Sequence, residues 1–407
     1  MTERVLRFGF LPLVDAALPI IAHELGLAEQ EGVRLDLIKD MSWATVRDRM
    51  LYGHTDATHL LAPLALATSL GLGRPATSLV VPFNLGLNGN AVTLSTGVAR
   101  ELGPHQDDAG GDGKALAEVV ARRKAAGQPK LRLSVVHRYS SHNYVLRYWL
   151  AASGIDPAED VEIVVVPPPF TVEAYAAGEI DGACVGEPWN SAAVDAGVAE
   201  IATATTHIWR RGVEKVLALR EDVAKAREED VSALLRALYA AGRVCEDWNR
   251  IDEVADILAR PAYLDAPAER IARALRGRLR FTAGEEARPI PDFLLVHREA
   301  ANFPWVSQAL WLYTQMARWG DAELSPESER TVRRVFRPDL YRRALGGTGA
   351  ALPSASAKME GAIANPSGVG TVQGRLVLGP DRFFDGQSFD PDDLPTYLEM
   401  LRRTHPA

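Results

Sequence analysis

Three groups of side chains could act on a small polar ligand, and each stands where a structural element begins. Ser42-Trp43-Ala44-Thr45 opens a helix after a strand, and Ser140-Ser141-His142 opens another further along the chain. The start of a helix carries free backbone N–H groups and a partial positive charge, so anions settle there. An indole and an imidazole occupy these two first turns. Plain capping accounts for the serines, and packing accounts for Trp43 and His142, so a capping and a binding reading stand side by side. The third group is Lys215 in Gly212-Val213-Glu214-Lys215-Val216-Leu217, the only lysine between Lys130 and Lys225. On its residues alone it reads as a solvated lysine paired with Glu214. If the two helices belong to lobes that face each other, both starts point into one cleft.

Several enzyme signatures fail on inspection. Gly110-Gly111-Asp112-Gly113-Lys114 lacks the spacing, the following Ser/Thr and the preceding strand of a phosphate loop, and reads as a surface loop. Gly71-Leu72-Gly73 has no third glycine at the dinucleotide spacing. There is no nucleophile elbow and no His-Glu-x-x-His helix. His54, Asp56 and His59 could form a metal trio, but a strand end with one surface histidine explains them as well. The two cysteines, Cys184 and Cys245, are far apart, which excludes a disulfide framework and a Cys-rich zinc site. The sequence therefore predicts no catalytic set, no metal and no cofactor.

The chain has 407 residues, 47% apolar and 24% charged, enough for two or three domains or one large bilobal body. Its 45 basic and 53 acidic residues give a net charge of −8, which disfavours nucleic acid as a direct ligand. No apolar run reaches the length of about 18 residues that a membrane span needs, so no membrane insertion is expected. Near the amino terminus Pro12, Asp15 and Pro19 interrupt the apolar stretch where a secretory leader would lie. Cleavage there would also discard the strand Val5–Phe10, so the sequence predicts a cytoplasmic protein.

Strands and helices alternate through the first half, the pattern of an α/β fold. Strands are expected at Val5–Phe10, Val33–Ile38, Thr55–His59, Leu79–Val81 and Ala91–Leu94. The stretch from Arg100 to Pro129 is polar and Gly-rich, helical only over Lys114–Ala126, and resembles a lobe boundary. The grammar then restarts with a strand at Leu131–Val136, a helix at Ser141–Ala152, and strands at Val161–Val166 and Ile180–Val185. Gly53-x-x-Asp56-Ala57 and Gly178-x-x-Asp181-Gly182, each between a helix and a strand, hint at two similar lobes. From Asp222 the chain is mainly helical. Leu345–Gly374 reads as a linker or wrapped loop, and Phe383 to Leu401 as a tail that packs on the body or on a partner.

These phrases together resemble the nitrate-binding protein family. It includes the solute-binding proteins of nitrate and bicarbonate ABC transporters and cytoplasmic nitrate/nitrite sensors of the NasS type. The resemblance rests on FGFLPLVDAALPI, SWATVRDRM, HLLAPLALATSLGLG, LNGNAVTL, HNYVLRYWLAASGIDP, VGEPWN, EKVLAL, NFPWVSQALWLYTQMARWG and DRFFDGQSFDP, which run over nearly the whole chain. It implies a two-lobed periplasmic-binding-protein type II fold with a helical C-terminal extension. Residues 1–95 and 205–407 would form the first lobe and the extension, and residues 96–204 the second lobe.

The resemblance also implies an anion site made of Trp43, Asn90, His142 and Lys215. Asn90 stands where the family has a glutamine, which keeps the amide but shortens its reach by one methylene. Nitrate and nitrite offer only acceptors and one negative charge, so donors and one cation suit them. The bicarbonate branch uses a bound calcium in place of the lysine, so Lys215 favours nitrate or nitrite. Taken with the cytoplasmic expectation, the resemblance implies a sensor that controls a NasT-like, RNA-binding antiterminator. The alternative is the solute-binding component of a nitrate/nitrite ABC transporter.

Overall fold

The computed structural model describes residues 4–105 and 108–404. Chain order gives strands β1 (Val5–Phe10), β2 (Arg34–Lys39), β3 (Ala57–Leu61), β4 (Leu79–Asn84), β5 (Leu87–Asn88) and β6 (Asn90–Ser95). Then come β7 (Leu131–Val135), β8 (Val161–Val165), β9 (Gly182–Gly186), β10 (Ala199–Ala204) and β11 (Lys215–Arg220). Helices interleave as α1 (Ala17–Glu24), α2 (Leu27–Gln30), α3 (Trp43–Leu51), α4 (Ala62–Leu70), α5 (Thr96–Leu102), α6 (Ala109–Ala125) and α7 (Ser141–Ala152).

Two five-stranded sheets result, ordered β2-β1-β3-β11-β4 and β10-β6-β9-β7-β8. In the first, β1 pairs in parallel with β2 and β3, while β11 runs antiparallel between β3 and β4. The second repeats this plan. There β7 pairs in parallel with β8 and β9, and β6 runs antiparallel between β9 and β10. Each lobe thus takes its one antiparallel inner strand from a stretch the chain reaches by crossing over. This is the two-lobed periplasmic-binding-protein architecture expected from the sequence.

The internal echo has a physical basis. Asp56 accepts the Arg7 backbone N–H at 2.9 Å, and Asp181 accepts the Arg132 backbone N–H at 2.8 Å. Each aspartate closes the equivalent edge, joining the entry to the third parallel strand of its sheet to the first.

Two sequence expectations need correction. The boundary between residues 95 and 96 falls one strand late, because β6 takes all its ladder partners from β9 and β10 in the second sheet. The loop drawn at Gly110–Gly113 is instead the first turn of α6. Asp108 caps it, accepting from the N–H groups of Gly110 at 2.8 Å and Gly111 at 3.0 Å. Glycine at 113 serves close packing, since a Cβ there would lie 2.0 Å from Ser153 Oγ at the end of α7.

The C-terminal extension bridges both lobes. Its helix Val306–Arg318 packs on α7 of the second lobe and on α4 of the first. Beyond that helix, Asp321 accepts from Arg138 at 2.7 Å and from the Tyr144 hydroxyl at 2.9 Å. The tail packs on the body: Phe383 stacks on Trp209 at 5.1 Å and on Trp311 at 5.4 Å, and Asp385 accepts from Tyr148 at 2.7 Å. The segment 345–374 wraps as short paired strands and carries a half-buried Lys358 held by Glu360 at 2.6 Å and Asp381 at 2.5 Å.

Candidate functional site

The site lies where the ends of β1, β3, β9 and β11 meet the first turns of α3 and α7. Past β1 the chain makes a buried 3-10 turn, Val14–Ala16, that carries Asp15. A backbone bond ties this turn to the second lobe, with Val14 N–H donating to the Glu187 carbonyl at 2.8 Å. Ser42 caps α3 by accepting from the Thr45 N–H at 3.2 Å, which sets Trp43 as the first helical residue. Ser140 does the same for α7, accepting from Asn143 N–H at 3.0 Å and placing His142 in the first turn. Strand β11 fits between β3 and β4 and starts at Lys215, opposite Leu61.

All four side chains named from sequence come together here. Lys215 is wholly buried, not solvated, and its Nζ sits 5.3 Å from the centre of the Trp43 ring. His142 Nδ1 lies 3.2 Å from Glu214 Oε1, on the residue next to Lys215. Asn90 faces Gly186 across the β6–β9 ladder. A Cβ at Gly186 would stand 3.0 Å from Asn90 Oδ1 and 3.7 Å from Asp15 Oδ2, so a larger residue there would press on Asn90.

Sequence reasoning missed three further members. Lys215 Nζ contacts Asp15 Oδ2 at 2.8 Å and also Glu214 Oε2. Behind Asp15, His59 Nε2 lies 2.9 Å from Asp15 Oδ1, and the His59 ring meets the Trp43 ring edge-on at 5.2 Å. Ser141 is no spare cap, since its hydroxyl donates to Glu214. A signal existed for each one. Asp15 interrupts an apolar run, His59 sits inside an apolar strand, and Glu214 flanks an isolated lysine. Of the pair His54 and His59, His54 is exposed and His59 has no exposed surface.

Electrostatics fix the charge states. Burial alone would pull the Lys215 ammonium down, but Asp15 and Glu214 more than offset this and hold it above lysine's ordinary value. Burial pushes Asp15 up, and Lys215 and then His59 override it, keeping Asp15 an anion well below the usual carboxylate range. For Glu214 the balance reverses, and burial raises its carboxyl despite Lys215. Burial, reinforced by Lys215, drives His142 far below the usual imidazole value, so it stays neutral. Burial likewise pushes the Cys184 thiol upward, making it a poor nucleophile.

Buried polar atoms remain open to a ligand. Trp43 Nε1 and His142 Nε2 are buried and have no hydrogen-bond partner among the described residues. A buried donor left unpaired costs about 1–3 kcal/mol, which a ligand acceptor would recover. Ser141, His142 and Glu214 superficially resemble a nucleophile set. The hydroxyl donates to the carboxylate rather than to the imidazole.

Comparison with known proteins places this geometry in context. The profile of the NMT1-like family matches residues 2–259. The nitrate/nitrite binding protein NrtA of Synechococcus elongatus is 30% identical over 404 residues, covering 97% of this chain and 85% of that protein. The nitrate import ATP-binding protein NrtC of Synechocystis is 32% identical over 398 residues, and the match spans 97% of this chain but only 55% of NrtC. The crystal structure of the periplasmic nitrate-binding protein NrtA from Synechocystis PCC 6803 superposes with a TM-score of 0.85 at 27% identity, covering 98% of this chain and 99% of that one.

Proposed function

Since this chain belongs to the NMT1-like family, among relatives named for nitrate and nitrite binding, we propose that it binds nitrate or nitrite between its two lobes. One observation carries the reading: a buried ammonium, an unpaired indole N–H and an unpaired imidazole nitrogen lie in one buried cluster drawn from both lobes. Lys215 supplies the charge, Trp43 and His142 supply directional donors, and Asn90 bounds the far wall beside Gly186. A small planar monoanion with acceptors on every side matches that set.

We further propose that the chain serves as the solute-binding component of a nitrate/nitrite ABC transporter. The names NrtA and NrtC among its relatives support this over the sensor reading, in which a cytoplasmic protein restrains a NasT-like antiterminator.

Calorimetry with nitrate, nitrite and bicarbonate tests the binding. Nitrate or nitrite should bind with nanomolar-to-micromolar affinity, on the order of 8–12 kcal/mol. Absence of heat with both would overturn the reading. Fractionation of cells carrying the native gene separates the two roles: an extracytoplasmic location fits the transporter component, and co-purification with an RNA-binding partner from the cytoplasm fits the sensor.

A further inference from the structure

The proposed site carries its own counter-anions, and this decides which ligands it takes. Lys215 is already shared between Asp15 at 2.8 Å and Glu214, with His142 and His59 neighbouring the two carboxylates. With both carboxylates ionised, the one ammonium already faces two anions before any ligand arrives. An acceptor-only monoanion would then be a third negative charge around one ammonium, in a fully buried setting where charge repulsion is weakly screened. An ionised Glu214 could offer it no hydrogen bond either.

Resting on the reading that this site holds nitrate or nitrite, we infer that Glu214 is its specificity-determining residue, taking up one proton from solvent with each anion and donating the resulting O–H to it. An anion that brings its own hydroxyl, as bicarbonate does, instead donates to the ionised Glu214 and needs no added proton.

The groups facing Glu214 explain why it is the carrier. On its own strand stands Lys215. From α7 come the Ser141 hydroxyl and the neutral His142 ring, from the 3-10 turn Asp15, and from β9 the Cys184 thiol. Asp15 lies between an ammonium and the His59 imidazole, both of which favour its charge. Glu214 faces one shared cation and a hydroxyl able either to donate to the anion form or to accept from the acid form. Burial raises the Glu214 carboxyl, while Asp15 is held low.

Nitrate titrations from about pH 6 to 9, each in two buffers of different ionisation enthalpy, count the protons. The wild type should take up close to one proton per nitrate in the alkaline range, with affinity falling about tenfold per pH unit once free Glu214 ionises. Glu214→Gln should keep nitrate binding, through its carboxamide N–H, and lose both the slope and the proton count. At a single alkaline pH it should also shift the nitrate-to-bicarbonate preference by about tenfold or more. Nitrate binding with a flat pH profile and no proton uptake overturns the inference alone, as does a slope that survives in Glu214→Gln. No nitrate heat at any pH removes the underlying binding reading as well. If Glu214→Gln does not fold, the wild-type proton count still decides.

Discussion

Replacing Lys215 by methionine keeps the apolar stem and deletes the charge. In the native site that charge is the shared partner of Asp15 and Glu214, and neither carboxylate is more than 4% exposed. The variant strands two buried carboxylates. Removing one partner of a buried pair typically costs about 3–5 kcal/mol, and the methionine regains little because the lysine stem is already buried. We therefore expect folding stability to fall by about 3–5 kcal/mol at pH 8. The pH dependence follows from Asp15. In the wild type its depressed ionisation contributes stability that is present above the ordinary aspartate value and is lost in acid. In Lys215→Met the same group loses its ammonium, keeps only His59 as partner, and protonates more readily. The gap between variant and wild type should hence be widest at alkaline pH and narrow towards about pH 4. Urea unfolding followed by tryptophan fluorescence at several pH values measures it. Adding Glu214→Gln to Lys215→Met should recover part of the loss, because one stranded charge is gone. A gap below about 1 kcal/mol at pH 8, or one that widens in acid, would refute the charge assignment. Nitrate affinity should be largely lost in Lys215→Met under conditions where it folds.

Trp43→Phe keeps the ring and removes the unpaired Nε1–H, so nitrate binding should weaken by about 1–1.5 kcal/mol, roughly tenfold, with little change in melting temperature. Glu187, buried at the turn that docks on Val14, has its carboxyl pushed up to about 7 by burial. Its raised value means that stability is highest below the ordinary glutamate range and is lost as pH rises towards 7. Glu187→Gln should therefore remove a decline of about 3 kcal/mol between pH 5 and 8, read from urea midpoints. Asp321→Ala deprives the largely buried Tyr144 hydroxyl of its acceptor and should cost about 1–2 kcal/mol. Arg138, on the same carboxylate but 64% exposed, should cost no more than about 0.5 kcal/mol when replaced by alanine.

Much of the fold was legible because apolar alternation and capping signals are local. The strand Val5–Phe10 and the helix Ser141–Ala152 fall where those signals put them. What failed was of another kind. The placement of β6 depends on which distant strand it pairs with, and nothing within Asn90–Ser95 encodes that. The Gly110–Gly113 turn looked like a loop because glycine suits loops, whereas here it lets α6 approach Ser153. At the site, the donors Trp43 and His142 were visible as first-turn residues. Glu214 was seen only as a surface partner for Lys215, and Asp15 and His59 were read as elements of backbone pattern. A buried carboxylate has the same letter as an exposed one. Its role emerges only when the apolar surroundings and the cation are placed together.

The membership of the cluster links ligand binding to closure. Asp15, Trp43, His59, Glu214 and Lys215 belong to the first lobe, while Asn90, Ser141 and His142 belong to the second. Separating the lobes would leave the Asp15–Lys215–Glu214 set intact but strip Glu214 of Ser141 and expose it to water. An exposed Glu214 ionises near the ordinary glutamate value and is stable open; closing over it in that state costs desolvation. Closing becomes favourable when the carboxyl is neutral and an anion satisfies Trp43, His142 and Lys215 together. Nitrate and a proton thus act as joint ligands of the closed form, each raising the affinity for the other by the same factor. Small-angle scattering on nitrate-free protein should accordingly show a more open molecule at pH 9 than at pH 6, with nitrate closing both. Equal dimensions throughout would separate closure from the charge state of Glu214.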